Sequence, residues 1–141
     1  MPKQIDPAEY AKPNTEHAHQ TALFMSIAPL YGEHPDLKLL FAIPNGGLRD
    51  KITAGRLKAE GVKSGVPDLM LPVASRSWHG LFIELKRIKT NMKREGIVGT
   101  NQIDWKVALS EKGYYVATCY GWIEARSVLF WYLKLGMYSD G

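Results

Sequence analysis

The chain has 141 residues, 45% of them hydrophobic, with 18 Lys and Arg against 14 Asp and Glu, a net charge of +4 and a pI near 9.2. This describes one folded domain with one core rather than a disordered chain, and no apolar stretch reaches the ~18 residues a membrane helix needs. The polar start, Met1 to Lys12, does not read as a secretory signal, and the single Cys119 excludes an internal disulfide, so a cytoplasmic setting without a membrane partner is expected.

Residues 1–13 carry Pro2, Pro7 and Pro13 without periodicity and read as an extended arm, leaving 14–141 as the domain. Asn14 or Thr15 can cap a helix running to about Pro29. Its inward stripe reads Glu16, Gln20, Leu23, Ile27 and Leu30, so two polar residues continue an apolar face. Glu16 suits a surface acid favoured by the helix dipole as well as it suits a site lining. Leu37–Pro44 predicts a first strand, and Asn45-Gly46-Gly47 a turn. Beside that turn Arg49 fits a contact to a phosphate backbone as well as a plain structural place. Lys51–Glu60 predicts a short helix ended by Gly61.

Asp68–Val73 predicts a strand, Ser75–Gly80 a hairpin turn and Leu81–Arg87 the next strand. Thr90–Thr100 reads as a loop, Asn101–Lys112 as a helix ended at Gly113, and Tyr114–Tyr120 as a strand rich in aromatic and β-branched residues. Trp122–Leu135 predicts a last, aromatic helix, with Trp131 most simply a core residue. Cys119, within a strand, reads as buried and inert. The order predicts an α/β fold, a central mixed β-sheet flanked by α-helices.

Charge inside these strands is the informative feature. Asp68 opens the apolar run Asp68-Leu69-Met70-Leu71, and Glu84 and Lys86 interrupt Leu81-Phe82-Ile83-Glu84-Leu85-Lys86. Burying an unpaired charge costs several kcal/mol or more, so such residues need a compensating reason. Strand alternation puts Phe82, Glu84 and Lys86 on one face and Leu81, Ile83 and Leu85 on the other. If the two strands pair through the hairpin, Asp68 lies beside Glu84. Two adjacent carboxylates repel unless a cation lies between them, and oxygen ligands of this kind, with the backbone carbonyl of Leu85, suit Mg²⁺ or Mn²⁺. Lys86 then stands where it can orient or deprotonate a water, or stabilise charge on a phosphate. An ordinary salt bridge on an exposed sheet face explains the same three residues. Lys86, Arg87, Lys89, Lys93 and Arg94 follow directly, either as a solvated loop or as a phosphate-contacting one. His17 and His19, two apart on a helix, face apart and do not make a zinc pair.

The stretch Glu60-Gly61-Val62-Lys63-Ser64-Gly65-Val66-Pro67-Asp68-Leu69, with Gly80-Leu81-Phe82-Ile83-Glu84-Leu85-Lys86-Arg87, closely resembles the virus-type replication-repair nuclease (VRR-NUC) domain, a branch of the PD-(D/E)xK nuclease superfamily. Phe41-Ala42-Ile43-Pro44-Asn45-Gly46-Gly47-Leu48-Arg49, Asn101-Gln102-Ile103-Asp104-Trp105 and Gly113-Tyr114-Tyr115-Val116-Ala117 extend the resemblance over roughly residues 14 to 133. It implies a PD-(D/E)xK nuclease-like fold and a Mg²⁺- or Mn²⁺-dependent nuclease. Asp68 and Glu84 would bind metal, Lys86 would be catalytic, Gln102 would complete the site, and Glu16 would reach a metal through water. Gln102 shares a helix face with Trp105 and Leu109, which agrees with that role, though a capping role fits it too.

Short members of this kind resemble viral and bacterial versions that act as dimers on branched DNA. The expectation is therefore a DNA endonuclease selective for Holliday-junction-like substrates, a homodimer in the cytoplasm of a bacterial or phage-infected cell, with DNA-repair chemistry. Its DNA contacts would come from Arg49, Arg87, Lys89, Lys93 and Arg94. The last helix and the Gly46-Gly47 segment are candidate dimer surfaces. A nickase or exonuclease on duplex or flap DNA, and a non-catalytic nucleic-acid-binding subunit, are the alternatives.

Overall fold

Four strands, β1 (Phe41–Ala42), β2 (Leu69–Leu71), β3 (Leu81–Lys86) and β4 (Tyr115–Tyr120), lie side by side in that order in the computed structural model, which describes residues 5–44, 51–91 and 96–136. β1, β2 and β3 pair antiparallel, whereas β3 and β4 are parallel. A parallel pair needs a crossover, and α4 (Thr100–Glu111) supplies it. The other helices are α1 (Pro7–Tyr10), α2 (Glu16–Ile27), α3 (Lys51–Ala59) and α5 (Trp122–Tyr132). The expected mixed sheet flanked by helices is the observed architecture.

The core occupies one face of the sheet. Leu69, Leu71, Leu81, Ile83, Leu85 and Cys119 pack there against Leu23 and Ile27 of α2 and Ala125, Leu129 and Phe130 of α5. Burying each large aliphatic side chain contributes about 1.5–3 kcal/mol, and this layer joins sheet and helices into one unit. The opposite face of β3 carries Phe82, Glu84 and Lys86. α4 covers it incompletely, because none of its side chains is fully buried. Its half-buried positions, Gln102, Trp105, Lys106 and Leu109, follow the helical period as expected.

Several boundaries differ from the sequence expectation. Pro7–Tyr10 is helical rather than extended, because the Asp6 carboxylate accepts the Ala8 N–H and Pro7 presets the first turn. Pro35 opens a 3-10 turn over Pro35–Leu39, which shortens the first strand to two exposed edge residues. Thr15, not Asn14, caps α2 through the Ala18 N–H. The buried face of α2 is rotated from the expected stripe to Ala18, His19, Ala22, Leu23 and Ile27. Glu16 is left exposed and Gln20 half-buried at its margin. The apolar residues of α5 that suggested a dimer surface lie largely in the core, and Trp131 packs half-buried beneath the Arg76 guanidinium. Gly46 and Gly47 lie outside the described residues.

Candidate active site

The ladder brings the separated acids together. Leu69 pairs with Ile83, so one further step along the register sets Asp68 opposite Glu84, just where β2 begins. The Asp68 main chain is held by β1, whose following residue Ile43 donates its N–H to the Asp68 carbonyl at 2.7 Å. The Asp68 Oδ2 accepts the Leu85 N–H at 2.7 Å. In the same register Leu85 would face Pro67, which has no amide hydrogen to offer the Leu85 carbonyl.

Glu84 and Lys86 are buried to 4% exposure each, on the face away from the core. Gln102, in the first turn of α4, links them. Its Nε2 donates to Glu84 Oε1 at 2.7 Å, and its Oε1 accepts from Lys86 Nζ at 2.9 Å. That same Oε1 accepts the Gly99 N–H at 2.9 Å, so the capping role and the site role of Gln102 coincide. Lys86 Nζ also lies 3.4 Å from Glu84 Oε1 and 3.8 Å from Glu16 Oε1. A surface salt bridge would leave these groups in water. Here desolvation outweighs their attraction: burial, then the charge of Asp68, push the Glu84 carboxyl up to about 8, although Lys86 opposes them.

Glu84 Oε2 is buried and has no hydrogen-bond partner among the described residues. A cavity of about 400 Å³ opens beside it, lined by Glu16, Asp68, Glu84 and Gln102 and rimmed by Ser64, Gly65 and Asn101. Among the described residues no three Asp, Glu, His or Cys side chains gather closely enough to hold a metal ion by themselves. A cation here would take two carboxylates, a backbone carbonyl and oxygens from water or substrate. Such hard, partly hydrated coordination suits Mg²⁺ or Mn²⁺.

Two glycines let the chain close around the site. A Cβ on Gly65 would stand 2.6 Å from Asn101 Cβ, and at φ +88° a side chain would also be strained, so the close approach of residue 65 to α4 requires glycine. A Cβ on Gly96 would stand 2.9 Å from Lys86 Cβ, so the returning loop rests on the lysine stem. Of the expected DNA contacts, Arg87 and Lys89 follow β3 directly, half-buried and exposed respectively. Arg49, Lys93 and Arg94 lie outside the described residues. Ser64 and Asn101, bonded to each other at 3.1 Å, were not singled out from sequence, although both flank motifs that were. His17 is exposed and His19 buried, on different sides of α2, so the pair is no metal site.

No model of a protein family matches the chain, and no curated protein matches it. Among solved structures, one described as a VRR_NUC domain protein is similar, with a TM-score of 0.69 and 28% identity over 86% of this chain and 90% of that one. The two chains thus share a fold and a sequence signal over nearly the whole of both, and this likeness supports a VRR-NUC domain here.

Proposed function

We propose that the protein is a divalent-metal-dependent DNA endonuclease whose centre is Asp68, Glu84, Lys86 and Gln102. The observation that carries this reading is the buried Glu84–Gln102–Lys86 chain, opening with Asp68 on a polar cavity and leaving Glu84 Oε2 without a donor. An orphaned buried carboxylate oxygen is costly in a purely structural network, and a cation beside Asp68 would satisfy it.

Asp68, Glu84 and the Leu85 carbonyl would hold Mg²⁺ or Mn²⁺, with Glu16 reaching it through water. When bound, the metal polarises the phosphodiester and lowers the pKa of a coordinated water. Lys86 supplies positive charge where negative charge develops on the phosphate, and it can hold or pass the proton of the attacking water. Gln102 orients both neighbours, since one end of its amide is committed to Glu84 and the other to Lys86. Arg87 and Lys89, with Arg49, Lys93 and Arg94, bind the phosphate backbone without reading bases. Branched DNA cut by a homodimer is the finer reading, because two centres related by a two-fold axis cut two strands symmetrically.

The test is cleavage of a labelled four-way junction and the matching duplex with Mg²⁺, Mn²⁺ or EDTA, beside Lys86→Ala. Paired cuts in the junction alone, absent with EDTA and in the variant, are expected. Cutting of the duplex as well would keep the chemistry and discard junction selectivity. Binding of either DNA without metal-dependent cutting would favour the non-catalytic subunit.

A further inference from the structure

Asn14 and His19 belong neither to the cavity nor to the apolar core, yet they are joined to the strand end that carries Lys86. Asn14 adopts a left-handed conformation, φ 54°. Its amide meets the Ile88 main chain as one strand residue meets another: Nδ2 donates to the Ile88 carbonyl at 2.7 Å, and Oδ1 accepts the Ile88 N–H at 3.0 Å. The same Oδ1 lies 2.8 Å from His19 Nε2. On the other side of the ring, His19 Nδ1 accepts the Trp122 N–H at 3.2 Å. An accepting Nδ1 carries no hydrogen, so Nε2–H donates to Asn14. Burial lowers the His19 pKa and keeps this neutral tautomer. The remaining tie is the Gly121 N–H, which donates to the Lys86 carbonyl at 2.8 Å.

Lys86 is the last residue of β3, where ladder support stops. Ile88, two residues on, is 40% exposed and is not held by the core. The chain there is held instead by the Asn14 side chain, before α2, and by the Gly121 main-chain N–H, before α5, and His19 connects the two. Asn14 also stands two residues before Glu16, whose carboxylate lies 3.8 Å from Lys86 Nζ.

We propose that Asn14 and His19 are positioning residues, a polar clasp that fixes the end of β3 and the start of α2 so that Lys86 and Glu16 face the cavity in register. The inference rests on the nuclease reading for its catalytic consequence, but not for its structural one. Displacement of a reacting group by about 1 Å from a distant change is enough to cost 10²-fold in rate, so a clasp outside the cavity has leverage on turnover.

Asn14→Gly is the clean variant, because glycine keeps the positive φ and removes only the side chain. Asn14→Asp keeps the two acceptor contacts and loses the donor to Ile88. Both are compared with wild type and Lys86→Ala by cleavage kinetics and by amide hydrogen exchange. In Asn14→Gly the Gly121 amide, which does not touch Asn14, should exchange at least ~10-fold faster, while the Leu81 and Ile83 amides keep wild-type protection. The kcat should fall about 10- to 100-fold with KM unchanged, as for other residues that orient a site from outside it, and Asn14→Asp should lie between. Unchanged Gly121 exchange overturns the clasp whatever the cleavage does. So does a wild-type kcat in Asn14→Gly when wild type cuts. If Gly121 exchange accelerates but wild type cuts no DNA, the clasp stands and the nuclease reading fails.

Discussion

The two faces of β3 are buried alike and serve opposite ends. Leu81, Ile83 and Leu85 meet α2 and α5 in an apolar layer, where burial is favourable. Glu84 and Lys86, one residue out of phase on the same strand, are nearly as deeply buried at 4% exposure, but beneath a helix that covers them only in part. There burial raises the free energy of the charged carboxylate, and the compensation from Gln102 and Lys86 is incomplete because Glu84 Oε2 is left without a donor. A single strand thus carries the stability of the domain on one side and a stored electrostatic cost on the other. Costs of that kind persist where a ligand relieves them.

The comparison can be broken most severely from the charged side. Lys86→Ala and Asp68→Asn should each lower cleavage by roughly 10³-fold or more while the protein stays folded, read by initial rates and circular dichroism on one preparation. Rates near wild type in either would remove the catalytic meaning of that face.

From the apolar side, Ile83→Ala should destabilise by about 2–5 kcal/mol in urea unfolding, with a far smaller effect on turnover per folded molecule. A large rate loss at full stability would show that the two faces are not separable.

The double variant Glu84→Gln with Lys86→Met sharpens the contrast, since it replaces a strained buried pair by groups of similar size. It should be inactive and more stable than wild type by about 1–4 kcal/mol. A less stable double variant would mean that the charged pair holds the fold together.

The pH dependence follows from the same cost. Glu84 is raised from 4.5 to about 8, so between those values the native state holds a proton that the unfolded state has released. Its contribution is present below pH 4.5 and lost as pH rises through about 8. In EDTA the melting temperature of wild type should therefore fall across this window more than that of Glu84→Gln, and Mg²⁺ should restore more of it at the alkaline end. Parallel curves for the two proteins would rule this out.

The smallest effect belongs to the exposed Lys89. Lys89→Ala should weaken DNA binding modestly and alike for all sequences, with the slope of log K against log salt reduced by about one contact. A change in sequence preference instead would make Lys89 a reader of bases.

Much of this arrangement was legible in the sequence. Alternation around Glu84 put it with Lys86 on one face, the hairpin between Pro67-Asp68 and Leu81 predicted the pairing, and the period of α4 turned Gln102 inward, because strand and helix periodicities are local properties of the chain. The boundaries that failed were also local but weak. Asp6 and Pro7 began a helical turn where an arm was expected, and Pro35 replaced part of the first strand by a 3-10 turn.

What the sequence could not decide was which of two equally polar residues meets which partner across the fold. Glu16 falls in the expected stripe of α2, yet the buried face turns to Ala18 and His19. Asn14 reads as a helix cap and instead grips Ile88, because Thr15 takes the cap and the Asn14 amide reaches a segment 74 residues away. Residue type and spacing determined the sheet, its charged face and the catalytic candidates. Tertiary packing alone decided the hydrogen bonds of Gln102, the orphaned oxygen of Glu84 and the clasp on the strand end, since each depends on distances between elements that no local pattern encodes.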